Sequence, residues 1–213
     1  VLADHRLAIW LGFWEDLTAQ PVLAETFDAL MGSRLRLEAP EVAAAYDWGA
    51  LSHVIDVGGG DGTLLAAILT IHPGLRGTLV ELAGPAEAAD RTLADAGVRE
   101  RCEIVARSFF EPLPAGADAY LLSGVLHGWD DEHALAILRR CSEAAATPGR
   151  VLVIEEGLAA SGLRTEMDLR MLAYTGGRER TLDDFEQLAA AAGLRVSAVH
   201  RATRYRSVIE LRA

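Results

Sequence analysis

The feature that most constrains this chain is a glycine-rich break between a short apolar run and a helix-like run. His53-Val-Ile-Asp-Val57 stops at Gly58-Gly-Gly60-Asp-Gly62, and Thr63 to Ile71 follows with helical character. A short apolar run bounded by glycines reads as a buried strand, and the glycines let the backbone turn sharply and approach a ligand closely. Such a strand-to-helix turn belongs to an open α/β sheet. Ligands of these sheets bind beyond the carboxyl ends of the strands, where the strand order reverses.

The rest of the chain continues the alternation. Gly77 to Leu82 reads as a second strand, followed by an alanine-rich helix around Pro85 to Ala96. Cys102–Ala106 and Ala119–Ser123 are further strands, Asp131 to Ala145 is a helix, and Arg150 to Glu155 is a fifth strand. Thr181-Leu-Asp-Asp184 has the form of a capping box opening a helix that ends at Gly193. The strand-like runs 194–200 and 205–211 leave no room for a helix between them, which predicts an antiparallel hairpin at the sheet edge. The order predicts an α/β fold: a Rossmann-like, doubly wound, mostly parallel seven-stranded sheet with a C-terminal antiparallel hairpin. Ahead of it, residues 1–46 read as a helical segment, leaving 47–213 as the ligand-binding domain. In that segment Leu7, Trp10, Leu11, Trp14 and Leu17 form one apolar stripe. Pro21 starts a second helix with Leu23, Phe27, Leu30 and Met31 on one face, and Pro40 and Glu41 open a third, short one.

Glu81, followed by Leu82, closes the second strand about 20 residues beyond the loop, where an acid can accept hydrogen bonds from both ribose hydroxyls of a nucleoside. The dinucleotide pattern G-x-G-x-x-G, started at Gly58, requires glycine where Thr63 stands; the observed order is Asp56-x-Gly58-x-Gly60-x-Gly62. A pyrophosphate favours an uncluttered helix N-terminus, and Asp61 opposes one. The pattern favours S-adenosylmethionine over NAD. Asp56, Gly58, Gly60, Glu81 and Leu82 are the first cofactor-binding candidates. The sequence has no lysine, so a reductase with a Tyr-x-x-x-Lys pair is excluded.

Acidic residues number 31 against 20 basic ones, for a formal net charge of −11. A field of that sign repels phosphate backbones, so no nucleic-acid partner is expected. Cys102 and Cys141 stand far apart, which argues against a disulfide scaffold or a cysteine-based zinc site, and no metal is expected. No apolar run reaches the ~18 residues of a membrane span and no signal peptide is visible. The expectation is a soluble cytoplasmic protein with no membrane partner.

Five segments together resemble the class I S-adenosylmethionine-dependent methyltransferases, and more narrowly the plant-type and bacterial small-molecule O-methyltransferases that include caffeic acid O-methyltransferase. They are Val54-Ile-Asp-Val-Gly-Gly-Gly-Asp-Gly62, Ser108-Phe-Phe-Glu-Pro-Leu-Pro114, Leu122-Ser-Gly-Val-Leu-His-Gly-Trp-Asp-Asp131, Arg150-Val-Leu-Val-Ile-Glu155 and Gly176-Gly-Arg-Glu-Arg-Thr181. The resemblance runs from about residue 7 to the end. It implies methyl transfer from S-adenosylmethionine to a phenolic or similar hydroxyl of a small aromatic or polyketide-like acceptor. It also implies a homodimer where the family's N-terminal winged-helix segment is present; these 213 residues do not contain that segment.

By the same resemblance His127 is the general base, and Glu155 and Glu179 are the acids beside it. Histidine titrates near neutrality, which suits deprotonation of a phenol. Asp commonly follows the base in the family; here it is Gly128, with Asp130 and Asp131 either compensating or capping the next helix. Ser108 and Phe109 are expected against the adenine and Ser123 near the nucleoside, with Ser108 standing where the family usually has Asp. Trp129 either stacks on the adenine or fills core. Trp10, Phe13, Trp14, Met167, Met171 and Tyr174 are candidates for the acceptor wall, or else for core and subunit contact. Two other readings stay open: a repurposed relative that uses the bound cofactor in hydroxylation or decarboxylation, and a non-catalytic cofactor-binding fragment.

Overall fold

The computed structural model describes residue 13 and residues 19–145, 149–156 and 165–213. Its strands are β1 (His53–Val57), β2 (Arg76–Glu81), β3 (Cys102–Ala106), β4 (Ala119–Ser123), β5 (Arg150–Glu156), β6 (Arg195–Arg201) and β7 (Arg206–Arg212). They form one sheet in the order β3-β2-β1-β4-β5-β7-β6. β1 to β5 pair in parallel, and β7 runs antiparallel to both β5 and β6. The expected C-terminal hairpin is present, with its second strand inserted between β5 and the edge strand β6. Strand order reverses between β1 and β4, which places the crevice for a ligand at their carboxyl ends.

The helices are α1 (Pro21–Ala44), α2 (Thr63–Ile71), α3 (Ala83–Asp95), α4 (Asp131–Ala145), α5 (Thr165–Tyr174) and α6 (Leu182–Ala191). Parallel strands are buried on both faces, and the alternation along them feeds two cores. Val54, Leu152 and Ile154 pack with α1, α2 and α3 on one face. Ile55, Val57, Val151 and Val153 pack with α4 and α6 on the other. Thr181 and Asp184 form the capping box of α6 in both directions, Asp184 N–H to Thr181 Oγ1 at 3.2 Å and Thr181 N–H to Asp184 Oδ2 at 2.8 Å.

One expectation is overturned. Pro40 does not open a separate segment; α1 runs through it from Pro21 to Ala44. An interior proline forfeits one helical hydrogen bond and costs about 3 kcal/mol or more. Ala39, Val42 and Ala43 on either side of it are buried in the core that α1 shares with α2, while Pro40 itself is exposed. Packing on both sides of the proline therefore holds the helical path. The apolar stripe at Leu7 to Leu17 lies outside the described residues.

Candidate active site

The Gly58 N–H extends the sheet ladder to the Val80 carbonyl at 2.8 Å. Gly58, Gly60 and Gly62 then all take positive φ, and Gly62 is the N-cap of α2. At Gly58 (φ +72°) a Cβ would stand 3.0 Å from Val125 Cγ2 and 3.3 Å from the Phe109 ring, so a side chain would be both strained and crowded. Glu81 accepts the Gly60 N–H at 3.2 Å and the Leu82 N–H at 2.6 Å. The acid expected to pair with the loop lies against it, and Phe109 flanks the loop at Gly58. Leu82, next to Glu81, is exposed. Ser108 Oγ accepts the Phe110 N–H at 3.3 Å and shapes the turn after β3. Ser123 ends β4, and its buried hydroxyl has no hydrogen-bond partner among the described residues.

Asp56 sits beneath this loop. It is buried, and a Cβ on Gly59 would come within 2.5 Å of its Oδ2. Neither carboxylate oxygen has a hydrogen-bond partner among the described residues. Burial, reinforced by the Glu81 charge, pushes its carboxyl up to about 7. Asp61 turns to α1 instead, lying against Gly32 and 4.0 Å from Arg36.

His127 lies in a short 3-10 turn (Leu126–Gly128) after β4, two residues beyond the Val125 that packs against Gly58. Its Nδ1 is 2.9 Å from Glu179 Oε1 and 3.9 Å from Glu155 Oε2. Glu155 Oε1 also accepts the backbone N–H groups of Leu126 at 3.0 Å and His127 at 3.3 Å. Glu156, the neighbouring acid, points instead to Arg206 at 3.1 Å. The two expected acids thus converge on the expected base, one through its backbone and one through its ring. With Nδ1–H donated to Glu179, Nε2 is the atom left to accept a proton. A Cβ on Gly124 would lie 3.9 Å from Nε2 and 4.0 Å from Arg206 Nη1, so Gly124 leaves open the space between them.

Burial alone pulls the His127 imidazole down, but Glu155 and Glu179 outweigh it against a small opposing charge from Arg206. The result is a pKa of about 8. Burial pushes the Glu155 carboxyl up, with the imidazole and Arg206 opposing the shift and Glu179 adding to it.

Trp129 packs edge-on against Phe110 at 4.9 Å and Phe109 at 5.9 Å, and Phe110 also meets His133. The indole therefore braces the ring that flanks Gly58. Asp130 caps α4, accepting the His133 N–H at 2.9 Å, and Asp131 pairs with Arg178 and Arg180. Both acids are engaged elsewhere and do not replace the family's Asp at position 128.

Of the acceptor-wall candidates, Phe13 and Tyr174 come together in a stacked pair at 6.2 Å, and Phe13 meets Phe27 edge-on at 5.6 Å. Met171 is half-buried, and its carbonyl accepts the Thr175 N–H at 3.0 Å. Met167 belongs to α5, but its side chain lies outside the described residues, as do Trp10 and Trp14.

The sequence reading missed two residues of this site. Arg180 is buried and bonded to both ends of the His127 turn, and Gly177 packs so closely that a Cβ there would come within 2.0 Å of the His127 carbonyl oxygen. The available signal was the alternation Arg178-Glu179-Arg180, which local rules assign to a solvated loop.

The structure thus combines a doubly wound sheet, a glycine loop with an acid on it, and a histidine flanked by two carboxylates. Comparison with known proteins makes this specific. A family model described as the O-methyltransferase domain matches residues 5–195, and the chain belongs to that family. It is 54% identical over 201 residues to the 2,7-dihydroxy-5-methyl-1-naphthoate 7-O-methyltransferase of Streptomyces carzinostaticus, covering 94% of this chain and 60% of that protein. It is also 54% identical over 189 residues to the aclacinomycin 10-hydroxylase RdmB of Streptomyces purpurascens, covering 85% of this chain and 50% of that one. Among solved structures, an O-methyltransferase of neocarzinostatin biosynthesis, bound to S-adenosyl-L-homocysteine and 1,4-dihydroxy-2-naphthoic acid, superposes with a TM-score of 0.89. It shares 54% identity over 94% of this chain and 61% of that one. The chain thus spans between half and three-fifths of the length of these relatives.

Among the described residues no helix is long and apolar enough to cross a membrane, and no group of three or more potential metal-ligating side chains occurs.

Proposed function

We propose that this chain is the methyl-transferring domain of an S-adenosylmethionine-dependent O-methyltransferase that acts on a phenolic hydroxyl of a small aromatic or polyketide-like metabolite. The observation that carries this reading is His127, paired through Nδ1 with Glu179, on the turn that follows the Val125 packed against a glycine loop that Glu81 closes. A phenol, with a pKa near ~10, is a weak nucleophile until it loses its proton. Nε2 is the acceptor for that proton. Glu179 fixes the tautomer and stabilises the imidazolium that forms, as an acid does for a catalytic histidine in hydrolase triads. Glu155 adds a second negative charge and pins the turn through its backbone.

The residues present fit a nucleoside. Glu81 suits ribose hydroxyls, Phe109 offers a ring beside Gly58, and Ser123 offers a buried hydroxyl with unused hydrogen-bonding capacity. Asp56 and Gly60 shape the loop, and Ser108, Leu82 and Trp129 complete its surroundings. S-adenosylmethionine, when bound, supplies an electrophilic methyl group on a sulfonium. The stacked Phe13 and Tyr174 offer aromatic surface to a flat acceptor, with Met171 nearby on the same helix as Tyr174. The naphthoate-modifying relative supports an acceptor of that class. Homodimerisation of the whole protein belongs to the same reading.

The test is calorimetric titration with S-adenosylmethionine and S-adenosylhomocysteine, with NAD as control. Binding of the first two and not the third is expected; binding of neither sinks the assignment. The 54% identity to a hydroxylase motivates a second reading, in which the bound cofactor serves a non-methylating reaction. His127, Glu155 and Glu179 together favour methyl transfer. Product mass with a dihydroxynaphthoic acid acceptor separates the two, since one reaction adds CH2 and the other oxygen.

A further inference from the structure

The turn that carries His127 is three residues long, and its own hydrogen bonds are Gly128 N–H to Val125 and Trp129 N–H to Leu126, both at 3.2 Å. A segment this short holds a side chain loosely unless something outside it fixes both ends. Arg180 does so. Its Nη1 donates to the Leu126 carbonyl at 2.5 Å and its Nη2 to the Trp129 carbonyl at 2.9 Å. The same guanidinium donates through Nε and Nη2 to Asp131 Oδ1 at 3.1 and 2.8 Å. One planar group therefore spans residues 126 to 129, and its rigid fork of donors holds two carbonyls and a carboxylate at fixed spacing, which the compact ammonium of a lysine on its flexible stem does not.

The placement of this group matters as much as its bonds. Arg180 follows Glu179 directly, so one stretch of backbone delivers the carboxylate to Nδ1 and the guanidinium to the turn. Arg178, on the other side of Glu179, ties the same Asp131 to Asp184 at the start of α6. Burying an arginine is costly unless every donor is used well, and Arg180 is 2% exposed. Its retention at this point calls for a role that a neutral filler of the same volume would not serve.

We propose that Arg180 is a positioning residue, which locks the His127 turn in register with Glu179 so that Nδ1 keeps its carboxylate and Nε2 keeps facing the crevice. The inference rests on reading His127 as the general base. The charged groups facing the imidazole are Glu155 from β5, Glu179 from the loop before α6 and Arg206 from β7. Loss of position and loss of charge therefore have opposite signatures. Removing a positive charge nearby would raise the imidazole pKa, whereas letting Glu179 drift from Nδ1 lowers it.

The test is Arg180→Lys, which keeps the charge and loses the fork. The His127 imidazole is titrated by heteronuclear NMR in the full chain, and S-adenosylhomocysteine affinity is measured alongside. We expect nucleoside affinity to be unchanged and the imidazole pKa to fall from about 8 toward the ordinary histidine value near ~6.5. A pKa that stays in place or rises overturns the proposal. If Arg180→Lys fails to fold, Asp131→Glu keeps the charge but displaces the carboxylate that orients the guanidinium and is read in the same way, with an unmoved titration again overturning the proposal. Failure of the wild-type chain to bind S-adenosylhomocysteine would count against the methyltransferase reading instead, and the titration of the free protein would still decide the role of Arg180.

Discussion

Around Gly58–Gly62 the crevice is made largely of backbone, whereas around His127 it is made of side chains brought from separate segments. The loop takes its shape from φ angles and from the Gly60 N–H that Glu81 accepts. The His127 cluster takes its shape from Glu155 and Glu179, which lie 28 and 52 residues further along the chain. The first kind of site is set by a few consecutive residues. The second exists only when β5, the 176–180 loop and the 3-10 turn have all docked. Binding and chemistry should therefore fail separately.

The largest expected effect is on the side-chain half. His127→Ala should lower kcat by about 10²–10⁴-fold, the usual worth of a general base, while calorimetric affinity for S-adenosylhomocysteine stays at the wild-type value. A matching loss of affinity would erase the distinction between the halves.

The pH profile is a gentler probe of the same half. As the proposed base, His127 must be neutral to act, and its pKa is about 8, so kcat/KM should rise with pH and level off above that value. Below it the rate should drop about tenfold per pH unit, as the neutral fraction does. The same proton bears on folding. An imidazole raised above its unfolded value stabilises the fold fully below about pH 6.5, and that contribution fades as pH rises through about 8. Activity and this part of stability therefore move in opposite directions, which paired rate and denaturation profiles can show. A rate profile flat from pH 6 to 9 would remove His127 from the rate equation.

The backbone half is probed by Gly58→Val. A left-handed conformation costs a side chain about 1–2 kcal/mol, and crowding by Val125 and Phe109 adds to it. Nucleoside affinity should fall roughly 5–30-fold, with the pH midpoint of the rate unchanged. A shifted midpoint would mean the two halves are coupled through Val125, which lies between them in the chain. The smallest effect is expected for Thr181→Ala, which removes the α6 cap near the 176–180 loop. It should cost about 1 kcal/mol, or about 2–4 °C in Tm for a chain of this size, without altering nucleoside affinity.

The same division decides what could be read from the sequence. The parallel strands, the loop and Glu81 are local or nearly periodic signals, and β1, β3 and β4 fall where the apolar runs place them. Pro40 shows a local rule losing to packing, because residues on either side of it in α1 are buried against α2. His127, Glu155 and Glu179 were legible only through motif resemblance, since no spacing rule brings residues 127, 155 and 179 together. Arg180 escaped because burial of a charge is decided by its partners, and its acceptors are two backbone carbonyls and Asp131, about 50 residues away. Asp130 was legible as a helix cap, but the use of Asp131 by two arginines was not.

The insertion of β7 between β5 and β6 has a consequence for the order in which this protein can mature on the ribosome. While residues 206–212 are still in the exit tunnel, β5 has β4 on one side and a bare ladder of amide groups on the other. Such an edge invites pairing with another chain. Glu155 and Glu156 lie on that edge, and Arg206, which binds Glu156, arrives with the closing strand. Glu155 is thus among the last parts of the sheet to be sealed. Conditions that slow synthesis of β7 should increase aggregation of the nascent chain, and a chaperone that shields a strand edge would act at this stage.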